Sequence, residues 1–189
     1  MEGRIKKKWI EIAKYFLVFI VFSFLGWLWE TAYIRVATGE WHDRGFMTLP
    51  FCPIYGSGVL LSYFVMGTPQ EPRGILKRVT GSYRRYALYL LLAFVVPTAV
   101  EYAIGFFFDK AFSIRLWSYV GRPLNANGYI CFPVSIVWAV ALTLVMRFVF
   151  PFIKKCAFRI PDTLALSLAV ILFIALAVDT VVIFKGVTK

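Results

Sequence analysis

The sequence predicts an all-α membrane protein with about five transmembrane helices, the first four forming two pseudo-repeated helical hairpins. The first reason is composition: of 189 residues, 60% are hydrophobic and only 16% are charged, with a mean hydropathy of +0.74. A water-soluble domain of this size needs more polar side chains to cover its surface. The second is that the apolar residues are gathered into runs near the 18 or more that a spanning helix requires. The third is that the basic residues lie between those runs rather than along one polar face.

In chain order, residues 1–14 form a basic arm carrying Arg4, Lys6, Lys7, Lys8 and Lys14. The spans are expected at about 15–33, 50–66, 86–108, 129–150 and 163–184, as one transmembrane domain over 15–184. Residues 185–189 are then a short exterior tail. The first run could pass for a secretory signal, but it ends in the bulky GWLWE with no small-residue cleavage site, so an uncleaved helix is expected. The second span is short and opens on prolines. A re-entrant or broken start is therefore admissible there, where protein or a polar cavity surrounds it.

The net charge of +11 has a topological meaning in such a chain. Of 21 Lys and Arg, fourteen fall in the arm and in the connections 67–85 and 147–162, and seven fall on the other side. The excess marks the cytoplasm, which places the N-terminus inside and the C-terminus outside the cell membrane. It also implies a bilayer with anionic lipids as partner. Nucleic acid is excluded as a partner because no basic face is formed.

Two halves of the chain repeat a pattern. Glu30 is followed by a loop, then by Arg44, Gly45, Phe46 and Pro50; Glu101 is followed by a longer loop, then by Asn127, Gly128, Tyr129 and Pro133. Glycine to proline is five residues in both, and Gly26 and Pro97 each stand one turn before the acid. The two hairpins run in the same sense, as in parallel transporter repeats.

A carboxylate inside an apolar run needs a partner or a task, because burying it costs about 2.5–3.5 kcal/mol on insertion scales. From Lys14 to Glu30 and from Arg85 to Glu101 there are 16 residues, and from Asp162 to Asp179 there are 17. At about 1.5 Å per residue each acid lies ~24–26 Å from the inner boundary, in the outer third of a core of about 30 Å. The candidate substrate-binding residues are Glu30, Glu101, Asp179 and Arg44, with Trp27, Tyr33, Tyr55, Tyr102 and Asn127. Acids with an aromatic lining suit a cation, and clustered carboxylates suit proton exchange. The structural alternative pairs Glu30 with Arg44 or Arg35, Glu101 with Arg115 or Arg122, and Asp179 with Lys185. Trp9, Trp41, Trp117 and Tyr119 are expected in an interfacial belt.

Other features point away from soluble chemistry. There is no GxxxxGK[ST] loop, so ATP hydrolysis by that route is excluded. One histidine and three scattered cysteines make no transition-metal site. No catalytic residues and no cofactor are assigned. Gly56, Gly58 and Ser62 offer a small-residue face for close helix approach.

GWLWE, RGF, PFCPIYG, Glu101-Tyr102 with Gly105, Trp117 with Tyr119, and Asn127-Gly128 with Ile130-Cys131 resemble the ABC-transporter type IV (CmpB-like) membrane family over about residues 24–138. The chain departs from that pattern at TLPFCPIYG, where a small residue is expected before Pro50. The resemblance implies a permease-like transport component without its own ATPase, working beside a separate ATPase subunit or as a homo-oligomer. The alternative is a membrane-embedded enzyme or accessory protein acting on a lipid head group, with Glu30 or Glu101 as acid or base and Arg44 on a phosphate.

Overall fold

A computed structural model describes residues 2–39 and 48–187 of the chain. The described residues form α1 (Glu2–Thr38), α2 (Pro53–Met66), a 3₁₀ turn (Gly74–Arg78), α3 (Ser82–Phe112), a two-stranded ribbon of β1 (Asn125–Ala126) and β2 (Ile130–Cys131), α4 (Phe132–Leu144), a π-helical turn (Val145–Val149), α5 (Phe150–Arg159) and α6 (Asp162–Val187). Among the described residues, four stretches are long and apolar enough to cross a membrane: Gly3–Val36, Ser82–Phe112, Phe132–Arg159 and Asp162–Ile183. The fold is all-α and membrane-like.

Several bounds differ from the sequence reading, each for a local reason. The basic arm supplies the first turns of α1. The second apolar helix begins at Pro53 rather than Pro50 and has 14 residues, about 21 Å of rise. Leu49 and Cys52 each precede a proline, which disfavours the α conformation at both and keeps Thr48–Cys52 out of the helix. The helical stretch that holds the fourth expected span continues from Phe132 to Arg159, so the basic residues expected in a 147–162 connection lie on helix.

Contacts within the chain group it into two units, residues 1–60 with 151–189, and residues 61–150. In the first, the buried side of α1 is Ala13, Leu17, Val18 and Phe22, and α6 contributes the small Ala165 and Ala169. Lys14, largely buried, donates to the Asp162 carboxylate at 2.6 Å where α6 begins. Val170, Ile171, Phe173, Ile174 and Val178 of α6 are exposed, which suits lipid rather than water. In the second unit Tyr63, Met66, Leu76, Tyr89, Met146 and Phe150 are sealed. Ala93 of α3 and Ala139 of α4 are buried between them.

The pseudo-repeat has a counterpart in burial. Val18, Phe22 and Ile34 of α1 are buried, and so are Tyr89, Ala93 and Gly105 of α3. These positions keep one register relative to Glu30 and Glu101, a stripe spaced in fours on which each acid lies.

Candidate functional site

In the first unit, Glu30 is half-buried and accepts a hydrogen bond from the Tyr55 hydroxyl at 2.6 Å. Two glycines bring the helices close enough for this. A Cβ on Gly26 would collide with the Tyr55 ring and lie 2.6 Å from Tyr55 Cβ. A Cβ on Gly56 would collide with the Ser23 hydroxyl and the Phe19 carbonyl, with Phe19 Cδ2 at 2.7 Å. So Gly26 is the seat of an aromatic ring, and Gly56 is the contact of the expected small-residue face. Gly58 has nothing within 4 Å of such a Cβ and takes no part in it. The Cys52 amide donates to the Ser23 carbonyl at 3.1 Å, and the Phe51 ring meets Phe19 edge-on.

Asp179 of α6 is buried, 7% exposed. It accepts from the Thr48 hydroxyl and from the Leu49 amide, the latter at 3.2 Å. Asp179 and Glu30 therefore hold opposite ends of the stretch from Thr48 to Tyr55. Trp27 is half-buried and stacks on Phe24 at 5.9 Å, whereas Tyr33 is 63% exposed. Arg44, with Trp41, His42, Gly45 and Phe46, lies outside the described residues. The side chain of Lys185 does too.

In the second unit the loop after α3 folds back onto that helix. Asn127 and Gly128 both have positive φ, +54° and +75°, and the Tyr129 amide donates to the Ala126 carbonyl at 3.0 Å. This is a type I′ turn, for which Asn-Gly is the preferred pair. The ribbon it closes pairs Asn125 with Cys131 and Ala126 with Ile130. Trp117 Nε1 donates to the Tyr129 carbonyl at 2.8 Å, and a Cβ on Gly105 would sit 3.2 Å from the Tyr129 ring. The loop so shaped delivers Tyr119, whose hydroxyl donates to Glu101 at 2.9 Å. Asn127 Nδ2 donates to the Tyr102 hydroxyl at 2.8 Å, and the Tyr102 ring packs edge-on against Tyr129.

Some expected pairings are replaced. Arg115 does not take Glu101; it lies 3.6 Å from Asp109, which also accepts from the Tyr129 hydroxyl at 2.6 Å. Trp117 and Tyr119 are tied into the loop by hydrogen bonds to the Tyr129 carbonyl and to Glu101. Burial, and then the Glu101 carboxylate beside it, push the Tyr119 phenol above the ordinary tyrosine range. Tyr129 is raised as well, chiefly by its hydrogen bond to Asp109. Cys131 and Cys156 are free thiols, and the described residues contain no cluster able to hold a metal ion.

The arrangement is thus two acid stations, each closed by a tyrosine hydroxyl, with Asp179 bound to a hydroxyl and a backbone amide. A family model described as "Putative ABC-transporter type IV" matches residues 17–184. The chain belongs to that family. The match reaches into α6, well past the 24–138 stretch on which the sequence motifs rest. No curated protein and no solved structure matches the chain. Membership of this family, with the long apolar helices, describes a membrane transport component.

Thr48, Tyr119, Asp109 and Tyr129 were not among the candidates. The Asn-Gly turn was the one available signal, since it folds the loop back and so points to Tyr119; nothing local marks Thr48 as a partner of a residue on α6.

Proposed function

We propose that the chain is a multi-pass, permease-like component of the cell membrane, without its own ATPase, whose acid stations in the outer half of the bilayer take a proton or a small cation. The N-terminus is cytoplasmic and the C-terminus exterior in this reading. Its partners are a bilayer containing anionic lipid, a separate ATPase subunit and further copies of itself, since so few helices make a narrow path. The stations are Glu30 with Tyr55, bordered by Trp27 and Tyr33, and Glu101 with Tyr119, bordered by Tyr102 and Asn127. Asp179, which holds the other end of the Thr48–Tyr55 stretch, belongs to the first.

The observation that carries it is the bond from Tyr119 to Glu101, with Arg115 of the same loop turned to Asp109 instead. A carboxylate closed by a neutral hydroxyl retains its capacity for a proton or cation, which a tight ion pair would remove. The test is Glu30→Gln and Glu101→Gln in proteoliposomes, with proton and monovalent-cation flux read by an internal dye. Loss of flux with unchanged insertion and melting is expected. Wild-type flux in both variants sinks the proposal.

A further inference from the structure

The basic end of the second unit is built differently from the acid stations. The connection after α2 is folded rather than slack: the Arg73 amide donates to the Met66 carbonyl at 2.8 Å, and Leu76 of the 3₁₀ turn is fully buried. The Tyr89 hydroxyl of α3 donates to the Gly67 carbonyl at 3.1 Å. On the other side, Pro151 has no N–H to offer the Arg147 carbonyl four residues earlier. Gln70 Nε2 donates to that carbonyl at 2.8 Å. The connection, the start of α3 and the π turn are thereby fastened together.

Three guanidinium groups stand on this framework. Arg73 donates to the Tyr63 hydroxyl at 2.8 Å and lies 4.2 Å from the ring centre. Arg147 donates to the Tyr86 hydroxyl and lies 5.3 Å from that ring. Arg85, next to Tyr86, spends one nitrogen on the Val79 carbonyl at 3.2 Å, while its Nε is buried with no acceptor. Among the described residues no carboxylate pairs with any of the three. The connection 67–85 itself holds five basic residues and a single acid, Glu71.

Tyrosines orient a guanidinium without cancelling its charge, and most of the five donors of each remain unspent. A buried donor without an acceptor also leaves Arg85 reason to leave its resting rotamer. We propose that Arg73, Arg85 and Arg147 form a binding site for a phosphate group, presented by an anionic lipid head group or as free phosphate. Planar guanidinium forks suit phosphate oxygens, which a lysine contacts only as a point charge. The site does not depend on the acid stations, and it takes from the proposed topology only that this end lies at the membrane surface.

The test uses the full-length chain in neutral detergent and counts retained lipid by native mass spectrometry. Phosphatidylglycerol is compared with diacylglycerol of the same acyl chains. Arg73→Lys, Arg85→Lys and Arg147→Lys keep the net charge and remove the fork; Lys7→Gln/Lys8→Gln lowers the charge elsewhere. Arg73 is exposed, so its variant stays informative should a more buried one fail to fold. Selective retention of phosphatidylglycerol is expected, reduced about tenfold, or ~1.4 kcal/mol, in each Arg→Lys variant and little changed in Lys7→Gln/Lys8→Gln. Displacement by millimolar inorganic phosphate assigns the site to the free ion, and resistance to it assigns the lipid. Equal losses in the Lys→Gln control and the Arg→Lys variants, or no selectivity over diacylglycerol, overturns the proposal. Glu101→Gln should retain lipid normally, so failure of the acid stations reads separately.

Discussion

The ring of Tyr55 rests on the backbone of Gly26, one helical turn before the glutamate its hydroxyl binds. Any side chain at 26 would push the ring away and break the bond to Glu30. Gly26→Ala is therefore expected to destabilise the chain by about 1–3 kcal/mol, the usual range for overpacking. Tyr55→Phe, which keeps the ring and loses the hydroxyl, should cost about 1–2 kcal/mol. Thermal unfolding in detergent checks both, and the double variant should cost less than the sum if the two residues act as one contact.

The glycines of α2 make a sharper comparison. Gly56→Ala drives a methyl into Phe19 and Ser23 and is expected to lower the melting temperature. Gly58→Ala meets open space and should be neutral or stabilising by up to ~1 kcal/mol, since alanine is the better helix former. Equal effects of the two would contradict the close approach at Gly56.

Tyr119 gives a pH prediction. In the unfolded chain a tyrosine ionises near pH 10, whereas in the fold burial and Glu101 hold the proton to higher pH. Below the unfolded value both states are protonated and the contribution to stability is complete. As pH rises past about 10, ionisation favours the unfolded state, and the contribution is lost as pH passes through the folded pKa. Melting temperatures between about pH 8 and about pH 11.5 should fall less steeply at the alkaline end in Tyr119→Phe than in the wild type.

The bond between Lys14 and Asp162 joins α1 to the start of α6. Lys14 is 11% exposed and Asp162 58% exposed in their side chains, so loss of the acid strands a largely buried ammonium. Asp162→Asn is expected to cost ~1–2 kcal/mol, and Lys14→Met/Asp162→Asn should recover part of it. A double-mutant cycle in detergent measures the coupling.

At Gly128 the backbone itself sets the residue. Its φ is +75° and a Cβ would lie 2.7 Å from Val120 Cγ2. Gly128→Ala should open the ribbon and release Tyr119 from Glu101, which tyrosine absorbance would register as ionisation at lower pH than in the wild type.

Much of this protein was legible in its residues alone. Apolar runs demand helices because a backbone in hydrocarbon has to satisfy its own hydrogen bonds, and the repeated glutamates Glu30 and Glu101 lie at matching positions on the buried stripes of α1 and α3. Asn127-Gly128 can take positive φ at both positions, which few other pairs tolerate, though in the sequence reading the pair served only the repeat and the family resemblance. Partner choice was not legible. Whether Glu101 meets Arg115 or Tyr119 depends on how a loop of 19 residues between α3 and α4 folds over the end of α3. Whether Gly26 weakens a helix or seats a ring depends on a residue 29 positions away. Sequence periodicity reports which face of a helix is apolar; only packing decides what stands opposite it, because those contacts join segments that no local pattern relates.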